Sequence, residues 1–187
     1  MRPPDLSSKA VSNADFPYGP AQQVPAAQVP GVLADITFRP LRGQNNPANC
    51  TPAAVDAGTA QVRVGPGGPA GGTLTALVVR STDDFHAFVE QAERCASFVL
   101  GGTLASQIET KTSDLDASNN TVRLDRMIRM GPESTTTPQT AVTEFVAQQG
   151  DIRVYVQNRR TGTAELGADE LAATQKLFEA ARRSAFS

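Results

Sequence analysis

Residues 73–99 read TLTALVVRSTDDFHAFVEQAERCASFV, and this stretch decides the fold. In its first part Leu74, Ala76 and Val78 face one way and Leu77 and Val79 the other. Alternation with both faces apolar predicts a central strand. Ser81 followed three residues later by Asp84 resembles a capping box, and Asp83 and Asp84 sit where a helix dipole favours negative charge. Phe85, Phe88, Val89, Ala92, Ala96 and Val99 then recur at helical spacing, with Cys95 at the edge of the stripe. The pattern predicts a helix that runs to Gly101-Gly102.

Upstream, Thr59 to Val64 alternates as a strand. It is joined to Thr73 by Gly65-Pro66-Gly67-Gly68-Pro69-Ala70-Gly71-Gly72, which has no phosphate-cradling pattern and leads into a strand, so it reads as a hairpin loop. Val32 to Phe38 is a short helix or strand stopped at Pro40. Residues 1–31 carry six prolines, Pro3, Pro4, Pro17, Pro20, Pro25 and Pro30, and read as an extended lead or wrapping strand in which Phe16 or Tyr18 docks on the body. The domain proper is then 32–187.

Downstream, Thr103 to Thr110 reads as a strand and Ser113 to Asn120 as a polar turn. Thr121 to Met130 fits a strand with Val122, Leu124, Ile128 and Met130 on one face, broken by Arg126, and also fits the start of a helix. Gly131 to Thr140 is a Thr/Pro-rich loop. Ala141–Ala147 and Asp151–Asn158 read as paired strands; in the second, Ile152, Val154 and Val156 point inward and Arg153, Tyr155 and Gln157 outward. Gly167 to Ala185 is a helix lined by Leu171, Thr174, Leu177, Phe178 and Ala181. The expected class is α+β: an antiparallel sheet with two main helices packed on it.

Composition narrows the function. A net charge of −2 lacks the basic field that nucleic-acid binding needs. No stretch approaches the roughly 20 apolar residues of a membrane span. Met1 to Ala10 has no apolar signal region, so the protein is either cytoplasmic or an exported chain whose signal has been removed.

The two cysteines are either free thiols or one bridge. Cys50 sits in a polar, Pro-flanked loop, a poor place for an inert buried thiol, and Cys95 lies toward the apolar side of the predicted helix. A Cys50–Cys95 disulfide would pin an irregular segment to the core.

No catalytic constellation stands out. His86, the sole histidine, falls on the solvated side of its helix with no nucleophile elbow nearby. One histidine and two distant cysteines do not make a zinc site, and Ser113–Asn120 lacks the glycine and terminal glutamate of a calcium loop. No cofactor is expected. Arg123, Arg126 and Arg129 recur three apart; Arg126 points into an apolar face on the strand reading, where it needs Asp125, Glu144 or a ligand as partner.

Phe16-Pro17, Phe38 with Pro40, Cys50-Thr51-Pro52, Val78-Val79-Arg80-Ser81, Cys95-Ala96-Ser97-Phe98 and Gly150-Asp151-Ile152-Arg153-Val154-Tyr155-Val156 together carry a resemblance. Over residues 15–186 the chain resembles the secreted, often lipid-anchored (lipoprotein-like) domains of unknown function of mycobacteria and related actinobacteria. These are similar in layout to the extracellular sensor domains of mycobacterial Ser/Thr protein kinases. The resemblance implies an antiparallel sheet flanked by helices, a disulfide, an extracytoplasmic location and a ligand-receiving cleft. This chain has one cysteine pair where those domains have more, and no kinase domain or lipobox cysteine.

The leading expectation is a non-enzymatic envelope domain that binds a small molecule or an envelope protein through a face bearing Arg126, Arg153, Tyr155 and Gln157. The alternative is an interaction subunit of an envelope complex that docks through its Pro-rich lead. A hydrolase using His86 or a carboxylate pair is the third reading.

Overall fold

The computed structural model describes residues 4–69, 71–102, 104–131 and 139–187. Residues 132–138, within the expected Thr/Pro-rich loop, lie outside the described residues, as do Ala70 of the glycine connector and Thr103 at the start of an expected strand. In chain order the elements are β1 (Gln22–Gln23), α1 (Val29–Thr37), β2 (Gln61–Pro66), β3 (Thr73–Arg80), α2 (Phe85–Arg94), β4 (Ser97–Val99), β5 (Gln107–Asp116), β6 (Thr121–Arg129), β7 (Gln139–Gln149), β8 (Ile152–Thr161) and α3 (Ala168–Phe186), with short 3-10 turns between them. The strands form one eight-stranded sheet in the order β1-β2-β3-β8-β7-β6-β5-β4. Every neighbouring pair is antiparallel.

Around β3 and β8 the sheet is covered on both faces, which explains the doubly apolar β3. Leu74, Ala76 and Val78 join Phe145, Val154 and Val156 beneath Leu177, Phe178 and Ala181 of α3. Leu77 and Val79 join Val62, Val146 and Tyr155 beneath α1 and α2, through Leu33, Ile36, Phe85, Phe88 and Val89. Of residues 121–130, Thr121–Arg129 settle as strand, paired with both β5 and β7, and Met130 lies just beyond it.

Residues 1–3 of the expected lead lie outside the described residues; the described ones are part of the body. Leu6, Val11, Phe16 and Ala21 are buried in the α3-side core, and β1 extends the sheet beside β2. Phe16 crosses β2 where Gly65 leaves room: a Cβ at that glycine would stand 2.8 Å from the Phe16 ring.

The helix expected to run to Gly101-Gly102 is shorter. Asp84, not Ser81, caps it by accepting from the Ala87 N–H at 2.8 Å. It ends at Arg94, because Cys95 leaves the helical conformation and Ser97–Val99 pair with Gln107–Glu109 of β5. Cys95 is bonded to Cys50, with Cα atoms 5.6 Å apart. Asn45 ties the same loop, donating to the carbonyls of Phe38 and Cys50 at 2.9 Å each. No helix among the described residues is long and apolar enough to cross a membrane.

Candidate functional site

The four residues expected to form an exposed binding face do share a face of the sheet, but helices cover it. Arg153, Tyr155 and Gln157 are only 1–3% exposed, beneath α1 and α2. This corrects the outward placement drawn from alternation in β8. Alternation shows which side chains share a face; it does not show what lies on that face, and α1 comes from far upstream in the chain.

Each of these side chains has a structural employer. Arg153 donates to Asp83 Oδ1 at 2.7 Å, to Gln148 Oε1 at 2.8 Å and to the Tyr155 hydroxyl at 3.1 Å. Gln157 donates to the Ile36 carbonyl at 2.9 Å and also to Glu144, which fastens the end of α1 to the sheet. Arg126 stacks over the Phe38 ring at 4.3 Å and donates to Thr110 Oγ1 at 3.2 Å. Burial pushes the Glu144 carboxyl above the usual carboxylate range, against the pull of Arg126 and Gln157.

One concavity lies on the opposite face, with Arg126 in its lining; a second, of about 640 Å³, lies beside α1 and is lined by Asp35, Arg39, Leu41, Leu100 and Leu104. On the opposite face α3 packs on β3, β7 and β8, and among the described residues no helix packs on that face of β5 and β6. A groove of about 770 Å³ opens over those two strands, walled by Thr163, Ala164 and Glu165. Register sets its floor. Lys111 stands opposite Asp125 and Asp125 opposite Thr143; Glu109 stands opposite Met127, Met127 opposite Ala141 and Ala141 opposite Arg160. Alternation aims all of these to α3's side of the sheet.

The floor is fixed by a directed chain of bonds. Arg123 forms an ion pair with Asp125 at 2.9 Å. The Thr143 hydroxyl donates to Asp125 Oδ1 at 3.1 Å and accepts from Arg160 Nη1 at 3.3 Å. Arg160 Nε donates to the Ala164 carbonyl at 3.1 Å, tying the wall to the floor. Such a network holds its side chains in place before any ligand arrives.

Reading the sequence missed this groove. Arg123, Arg126 and Arg129, three apart, read as a solvated face on an ambiguous segment, and Asp125 only as a possible partner for Arg126. The available signal was a strand whose one face is apolar (Val122, Leu124, Ile128) and whose other face is charged, which marks a sheet face that no helix covers.

The remaining chemistry-bearing residues are engaged elsewhere. His86 is exposed on α2, 3.3 Å from Glu90, and does not line the groove. Asp116, in the expected polar turn, accepts from the Ser118 and Asn119 side chains at 2.6 and 2.7 Å. Those bonds, Ser118 first, hold its carboxyl down to about 2. No protein-family model, curated protein or solved structure matches the chain.

Proposed function

We propose that the protein is a non-enzymatic, extracytoplasmic domain of the cell envelope that binds a small molecule in the groove over β5, β6 and β7. The observation that carries this reading is the groove itself: a concavity of about 770 Å³ over strands that no helix covers on that face among the described residues. Its volume falls within the range of small-molecule sites, and its floor combines apolar Met127 and Ala141 with charged groups held by the Arg123–Asp125–Thr143–Arg160 network. The Cys50–Cys95 bond is compatible with an oxidising compartment and supports the extracytoplasmic part of the reading. The resemblance to secreted actinobacterial sensor-type domains agrees with it.

The competing idea, a lead that docks on a partner, has less to stand on. Leu6, Val11 and Phe16 are committed to the core and unavailable to another protein.

A fragment screen by two-dimensional NMR on the full chain tests the binding reading. Saturable ligands should shift the amides of Met127 and Ala141, and Ala141→Trp should abolish those shifts while the fold is kept. Ligands that cluster elsewhere, or none at all, would overturn it.

A further inference from the structure

We infer that Arg160 anchors a carboxylate on the groove's ligand. This rests on the binding reading above and names the chemistry of what binds. Arg160 is 9% exposed, yet it has no carboxylate at ion-pair distance among the described residues. Its hydrogen bonds go to two neutral oxygens, the Ala164 carbonyl and the Thr143 hydroxyl. Asp125, Glu170 and Glu165 favour its charge from beyond ion-pair distance, and Asp125 is also joined to it through the Thr143 hydroxyl.

A largely buried guanidinium whose hydrogen bonds all go to neutral oxygens keeps donor capacity for an anion. It carries five N–H donors in a rigid fork, and no hydrogen bond among the described residues engages Nη2. That nitrogen belongs to a residue lining the groove. An entering carboxylate would take up that free donor in the geometry a guanidinium binds best. Lys111 lines the same groove and adds positive potential, whereas Arg123 is neutralised by its ion pair with Asp125.

The lining also decides against a more highly charged anion. Glu109, Asp114, Asp125 and Glu165 are all part of it. These acids would repel a phosphate dianion more strongly than a monovalent carboxylate. Met127 and Ala141 offer the rest of the ligand a small apolar floor.

The test compares N-acetyl-dialanine bearing a free carboxylate with its C-terminal amide, titrated into the full chain and followed by the Arg160 side-chain N–H resonance and the Ala141 amide. Acetate is a third arm and inorganic phosphate a fourth. The free acid should bind saturably and the amide about tenfold to a hundredfold more weakly, the span of a charge-assisted hydrogen bond. Arg160→Gln should erase the acid's advantage and Arg160→Lys should keep part of it. If Arg160→Gln does not fold, the acid–amide comparison on the unaltered chain decides alone. Acetate binding as well as the peptide acid identifies free small acids as the source; acetate binding weakly identifies a chain terminus. Equal binding of acid and amide, or tighter binding of phosphate, overturns the carboxylate anchor and leaves the groove reading standing. No saturable shift with the acid or acetate overturns it too, while the fragment screen independently judges the groove.

Discussion

Arg153 reaches from beneath α2 to bond Asp83 across 2.7 Å, joining β8 to the residue just before the helix cap. Its guanidinium also lies 4.4 Å from the centre of the Phe88 ring. The charge is buried and Asp83 is its only carboxylate partner at ion-pair distance among the described residues. Asp83→Asn would strand that charge in the interior, and breaking a buried pair in this way costs about 3–5 kcal/mol. The double variant Asp83→Asn/Arg153→Met should recover part of the loss, because the stranded charge is gone. Urea midpoints of the single and double variants check this; a double variant no more stable than Asp83→Asn contradicts it.

Phe16 supplies a second prediction. It is buried against Gly65 and the α3-side core, whereas Tyr18 is only partly buried there. Phe16→Ala should cost about 3–5 kcal/mol through lost transfer energy and the cavity left behind. Tyr18→Ala should cost clearly less. Equal, small effects in denaturant melts would mean that the early segment is a loose tether after all.

These two sites show what the residues did and did not disclose. β3 and α3 were legible because their periodicities run uninterrupted and nothing distant competes with them. The end of α2 was not, since Ala96 and Val99 fit a helical stripe as well as a strand. The pairing of Phe98 with Ile108 decides the matter, and that partner lies beyond the helix in sequence. The polar face of β8 misled for a related reason. Tyr155 and Gln157 alternate as exposed residues do, and only α1, brought over them in three dimensions, turns them inward. The groove was hidden because it is defined by where α3 stops, and helix placement on a sheet is a tertiary property.

Glu144 gives a pH prediction. Burial raises its pKa above the unfolded value, with Arg126, Gln157, Arg159 and Arg153 opposing. A carboxyl whose folded pKa is raised favours the folded state most below its unfolded pKa, about 4.3, and that contribution disappears as pH rises through the folded value. The stability of the unaltered chain relative to Glu144→Gln should therefore fall with rising pH across this window. Thermal midpoints of both proteins between acid and neutral pH check the sign. A difference that stays flat or grows with pH would show that Arg126 outweighs burial.

The bond between Cys50 and Cys95 closes a loop across a sequence separation of 45 residues. In the chain-entropy model, closing a loop of that length removes about 4 kcal/mol of disorder from the unfolded state. Reduction, or Cys50→Ser with Cys95→Ser, should lower the denaturant midpoint accordingly. The loop should loosen first, because only hydrogen bonds then hold it: those of Asn45 to Phe38 and Gly101, the Asn46–Val99 backbone pair, and Arg39 on the Pro52 carbonyl. Hydrogen exchange at the amides of Cys50 and Thr51 reads that order directly. Chain isolated under thiol-blocking conditions from its own cells should gain the mass of two hydrogens on reduction. Protein recovered with both thiols free would remove the compartment argument, and unchanged stability after reduction would show that packing around Phe38 and Phe98 holds the loop without the bond.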